Sequence, residues 1–131
     1  MLPAICALLP LLAACQTGGA SKDYAEFRSA QDPGSTAARI AENVGACWFR
    51  GARPAFADLS YAPELNSFAN RPRVLIVSKS DPGGLPKLVI EASAAERGAS
   101  VKLFGPLMAG GEAAAISRDV ERWTAGAGGC T

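Results

Sequence analysis

Histidine is absent from this sequence of 131 residues. Its absence excludes Ser-His-Asp and Cys-His catalysis, and it removes the commonest transition-metal ligand. A strong charge of either sign is lacking as well, because 13 basic and 12 acidic residues give a formal net charge of +1. That balance is too neutral for a nucleic-acid footprint. We therefore expect no metal centre and no nucleic-acid partner.

No apolar segment reaches the roughly 20 residues that a helix needs to cross a bilayer. The uncharged run at residues 1–14 has an apolar core whose length is typical of the hydrophobic region of a signal peptide. No Lys or Arg precedes this core, so either the charged region of the signal is minimal or the true start lies upstream. An ordinary secretory signal cut near Ala14 and a buried N-terminal helix are the alternative interpretations.

The run ends in Leu12-Ala13-Ala14-Cys15. This ending resembles the lipobox of bacterial lipoproteins, in which a small residue precedes a cysteine that is acylated. The resemblance implies that residues 1–14 are a signal peptide and that Cys15, carrying palmitate or similar chains, becomes the anchored N-terminus. In that family an Asp after the cysteine favours the inner membrane. Gln16 stands there instead, which implies a periplasm-facing protein on the outer membrane.

The segment after Cys15 is small and polar, and we assign residues 15–33 to a flexible, lipid-anchored tether. Within it, Tyr24 and Phe27 are spaced i, i+3, which predicts a short helical turn. The folded domain is expected to occupy residues 34–131.

Two helices are predicted in that domain. The first begins at Ser35 as N-cap and carries an apolar stripe that ends in Cys47 and Trp48. The second covers residues 112–124, with Trp123 on its apolar stripe and Asp119 among the charged residues that lie mostly off it.

Between the helices, residues 73–78 form the strongest strand signal, since they are β-branched and continuous. Residues 87–92 and 100–104 predict two more strands, with a fourth in residues 54–68. Short turns make neighbouring strands antiparallel. The predicted fold is α+β, a two-layer sandwich in which a meander of three or four strands carries both helices on one face. Its other face would expose apolar side chains, which typically mark a partner surface.

Cys47 and Cys130 are the two cysteines left after removal of Cys6 and acylation of Cys15. An exported protein with an even pair of cysteines favours a structural disulfide between them.

Four arginines form the basic grouping of interest: Arg50, Arg53, Arg71 and Arg73. They are candidate contacts to an anion or a partner, but the near-zero net charge favours a solvated rim as their role. No catalytic residue is assigned, because the carboxylate pairs lack a pocket and the glycine-rich stretches match no nucleotide-binding fingerprint. No cofactor is therefore expected.

Two functions remain open from the sequence. The first is a non-enzymatic envelope lipoprotein with an accessory or scaffolding role, binding membrane lipid through Cys15 and an envelope protein through its sheet. The alternative is a periplasmic lipoprotein that binds a small ligand or polysaccharide. A histidine-independent hydrolase ranks below that binding role. Its pocket would lie near Arg50, Arg53, Tyr61 and Arg71.

Overall fold

The computed structural model describes residues 23–67 and 69–131. It contains one antiparallel sheet and two α-helices, which confirms the predicted α+β class. The predicted signal peptide, Cys15 and residues 16–22 lie outside the described residues. The sheet has the order β1-β5-β4-β3-β2. In chain order the elements are β1 (Tyr24–Ser29), α1 (Pro33–Asn43), β2 (Leu59–Glu64), β3 (Arg73–Ser78), β4 (Leu88–Ala94), β5 (Ala99–Phe104) and α2 (Ala113–Thr124).

One core forms between the sheet and the two helices. Alternate residues of β3 and β4, such as Val74, Ile76 and Leu88, are fully buried there, because successive side chains of a strand point to opposite faces. Helix α1 packs against β3, β4 and β5, whereas α2 packs against β1 and α1. Both helices therefore lie on one face of the sheet, as predicted, and the described helices leave the other face uncovered.

The helical turn predicted for Tyr24 and Phe27 is wrong. Residues Tyr24–Ser29 form edge strand β1, which pairs with β5 over its whole length. Ala25 and Phe27 pack towards the core while Glu26 and Arg28 point away, so the alternation of a strand outweighs the i, i+3 spacing. The folded domain consequently begins inside the segment that the sequence assigned to the tether.

Helix α1 begins one turn earlier than predicted. Asp32, and not Ser35, is the N-cap, since its Oδ1 accepts a hydrogen bond of 2.9 Å from the backbone N–H of Ser35. Pro33 occupies the first turn, where its missing N–H costs nothing. The same contacts lower the pKa of the Asp32 carboxyl, chiefly through the hydrogen bond from the Ser35 backbone.

Beyond α1 the chain continues as a π-helical turn over Val44–Arg50. The N–H of Gly51 donates to the carbonyl of Ala46 at 3.0 Å, a span of five residues. This wider turn buries Trp48 in the core and leaves Cys47 partly exposed.

The predicted disulfide is present between Cys47 and Cys130, whose Cα atoms are 5.3 Å apart. It joins the end of the first helical segment to the C-terminal tail. The two tryptophans also meet, with the ring centroids of Trp48 and Trp123 separated by 5.4 Å. The disulfide and the aromatic pair thus fasten both helices together at one end of the core.

Candidate functional site

The side of the sheet that the described helices leave uncovered, which we call the open face, carries a row of alternating charge across all five strands. The antiparallel register places each member opposite the next, and the signs run negative, positive, negative, positive, negative. Strands lie about 4.8 Å apart, so this row extends for about 19 Å. The charge row consists of Glu26, Lys102, Glu91, Arg73 and Glu64.

Both ends of the charge row are held by hydrogen bonds. At one end, Arg73 donates from Nε and Nη2 to Glu64 Oε2 at 3.1 and 3.0 Å. At the other end, Ser100 donates to Glu26 Oε1 at 2.6 Å and Tyr24 donates to Oε2 at 2.8 Å. The hydrogen bond from Ser100, followed by that from Tyr24, lowers the pKa of Glu26. Glu26 therefore stays ionised at neutral pH.

A second row, which we call the apolar row, lies beside the charge row and is in register over the same five strands. Its most exposed large side chain is Phe104, at 38%. The apolar row consists of Tyr24, Phe104, Val89, Leu75 and Ala62. The open face thus combines an apolar strip with an ordered pattern of charges.

The sequence predicted exposed apolar side chains on this face, and this is correct only in part. Leu75 is half-buried, but Val77 and Val89 are only 5% and 7% exposed. Val89 lies in register between the larger side chains of Phe104 and Leu75, which flank it. A short β-branched side chain in the middle of a sheet is shielded in this way by its longer neighbours.

The four predicted arginines do not form one cluster. Arg73 pairs with Glu64 within the charge row, and Arg71 is exposed beside it. Arg53 lies near the opposite end of the sheet, where it pairs with Asp119 at 2.6 Å. Arg50 is exposed at the end of the π-helical turn. Only Arg73 of the four therefore belongs to the charge row.

Asp119 of α2 is the polar residue that sequence reasoning misplaced. Its place mostly off the apolar stripe predicted an exposed side chain, but Asp119 is only 6% exposed. It accepts hydrogen bonds from Trp48 Nε1 at 2.9 Å and from Arg53. A turn through Ala52, which has a φ of 49°, brings Arg53 back towards α2. The sequence does contain a signal for a buried acceptor. Its two tryptophans each carry an indole N–H group, and buried donors of this kind are almost always paired.

Two residues of the predicted ligand pocket, Arg53 and Arg71, line different surface depressions. Arg53 lines one of about 200 Å³ with Phe56 and Lys79 and another of about 380 Å³ with Asp119 and Cys130. Arg71 lines one of about 480 Å³ beside the charge row. Tyr61 packs on Phe49, with ring centroids 4.8 Å apart. The first depression is smaller than a usual ligand site, and Arg53 is already engaged by Asp119.

Within residues 23–67 and 69–131, no three His, Cys, Asp or Glu side chains are grouped to hold a metal ion. In the same part of the chain, no helix has the length and apolar character needed to cross a bilayer. Comparison with known proteins finds no matching family model, no matching curated protein and no matching solved structure.

Proposed function

We propose that the chain is a bacterial envelope lipoprotein, held at the membrane by acyl chains on Cys15, with a non-enzymatic accessory or scaffolding role. In this proposal the mature domain faces the periplasm, with the outer membrane favoured by Gln16. Its open face binds another protein of the envelope. The observation that carries the proposal is the open face itself, where the apolar row runs beside the charge row.

The chemistry of the face supports a protein as the occupant. Alternating charges at fixed spacing select a partner with the opposite sequence of signs, because like charges brought together are penalised. The neighbouring apolar strip, with Phe104 and Leu75, supplies surface to bury. The disulfide Cys47–Cys130 supports export, since such bonds persist in oxidising compartments.

The anchor is tested by the mass of the mature protein. With the full chain expressed in a bacterial host, we expect an N-terminus at Cys15 that carries acyl chains and a protein that fractionates with membranes. Two or more chains are enough for stable anchoring. Cys15→Ser should abolish both results, and Cys6→Ser is the matched control that should leave both unchanged. An unmodified Cys15 in wild-type protein would contradict the proposed anchor.

The partner surface is tested by site-specific photo-crosslinking in living cells. A photoreactive amino acid at Phe104 or Leu75 should give a discrete product whose mass is not twice that of the chain itself. Leu85 is the matched control, because it is apolar and 90% exposed but lies in the β3–β4 connection. Charge reversal by Lys102→Glu should reduce the product at Phe104. Equal labelling at Leu85 and at the open face would refute the proposal.

A further inference from the structure

The two edges of the sheet are chemically different. Strand β2 forms one edge and contains Pro63, which has no N–H to donate to a further strand. Strand β1 forms the other edge, spans six residues and contains no proline. Among the residues that the structure describes, β1 has a strand neighbour on the β5 side only. An edge of this kind offers its free backbone groups to another strand.

The charges on β1 are self-complementary. Glu26 and Arg28 are two residues apart, so both project on the open face. When two copies of β1 pair antiparallel about a two-fold axis through Phe27, Glu26 of each copy lies opposite Arg28 of the other. Pairing centred on Glu26 or on Arg28 would instead place like charges opposite each other. Charge therefore selects one register.

The contacts within one chain leave the side chains of Glu26 and Arg28 accessible to a second copy of β1. Arg28 approaches Glu26 of its own chain only to 3.7 Å, and its side chain is 70% exposed. The Glu26 carboxylate is oriented by Tyr24 and Ser100, which hold it in place on the open face. On the opposite side of the strand, the two Phe27 rings would face each other, and Ala25 would face Ser29, which has a small side chain.

We infer that β1 is the edge at which two copies of this chain join, forming a continuous sheet of ten strands with Phe27 on the two-fold axis. The occupant is a second copy because the strand pairs its own charges only in the antiparallel, two-fold arrangement, which is the geometry of a closed dimer. This inference goes beyond the proposed function, since it adds a contact between two copies of the chain along the β1 edge to the contact with another envelope protein.

The test is a charge-swap experiment on the full chain in detergent, with the mass measured by sedimentation equilibrium over a range of concentrations. We expect the parent to form a dimer. Glu26→Arg and Arg28→Glu should each weaken the dimer by about tenfold or more, because both charge pairs become repulsive. A mixture of the two variants should regain the parent affinity, since arginines of one then face glutamates of the other. The double swap should also regain it.

Arg71→Glu is the matched control, because it reverses an exposed arginine beside β3 and should leave the dimer unchanged. Urea unfolding of each variant verifies that the fold is retained. A parent that stays monomeric at millimolar concentration overturns the inference. This is the result expected if another segment of the same chain covers β1. A dimer that the single variants leave intact, or a mixture that fails to regain affinity, overturns it as well.

Discussion

Replacing Asp119 by alanine is expected to lower the free energy of unfolding by about 3 kcal/mol. The change leaves the Trp48 indole N–H without its acceptor and the Arg53 guanidinium without its counter-charge. Arg53 retains some contact with water, which keeps the cost at the lower end of the range for a broken buried pair. Urea unfolding followed by tryptophan fluorescence measures the effect.

Two further variants separate the parts of this interaction. Asp119→Asn keeps an oxygen acceptor for Trp48 and should cost less than the alanine change. Glu121→Ala, an exposed position on the same helix, should change stability by no more than about 0.5 kcal/mol. Removing the Arg53 side chain should lower the free energy of unfolding only slightly in a protein that already lacks Asp119, because the carboxylate with which Arg53 pairs is gone. Equal stabilities of the Asp119→Ala and Glu121→Ala proteins would refute this account.

Loss of the Cys47–Cys130 disulfide is expected to cost about 4.5 kcal/mol in the chain-entropy model. The bond joins residues separated by 83 positions, so it restricts a large part of the unfolded chain. A loss of this size is a large share of the 5–15 kcal/mol that a domain typically possesses. Urea unfolding of the oxidised protein and of the Cys47→Ala/Cys130→Ala variant gives the difference directly.

The tail that carries Cys130 has a second attachment, which provides a control. The Gly129 N–H donates to Asn43 Oδ1 at 2.9 Å, and its carbonyl accepts from Trp123 Nε1 at 3.0 Å. We therefore expect the disulfide-free protein to keep its native fold. Asn43→Ala should cost more with the disulfide than without it, because the covalent bond keeps the tail docked where this hydrogen bond is made. Equal costs in both backgrounds would contradict this coupling.

Local patterns predicted the elements whose periodicity is unambiguous. The β-branched run of β3, the alternation in β5 and the apolar stripe through Ile40 and Val44 each indicate one structure, and all three are present. Strand β1 was missed because its two aromatic residues also match a helix. Its partner β5 is distant in sequence, so no local signal resolves the conflict.

The candidate site depends on register, which a single sequence does not reveal. Glu26 and Lys102 are neighbours only because β1 pairs with β5, and Arg73 joins them only through β4. A shift of one residue in any strand would turn its charge to the other face and break the charge row. The burial of Asp119 likewise depends on the tertiary placement of α2 beside Trp48.

The charge row reads the same from both ends, and this symmetry disfavours stacking of two open faces in register. A two-fold axis along the row places each residue opposite its own copy. An axis across it, through Glu91, places Glu26 opposite Glu64 and Lys102 opposite Arg73. Either arrangement sets like charge against like, which is costly. The palindrome of signs thus excludes in-register stacking, and two stacked open faces would have to be offset by one strand to bring opposite charges together.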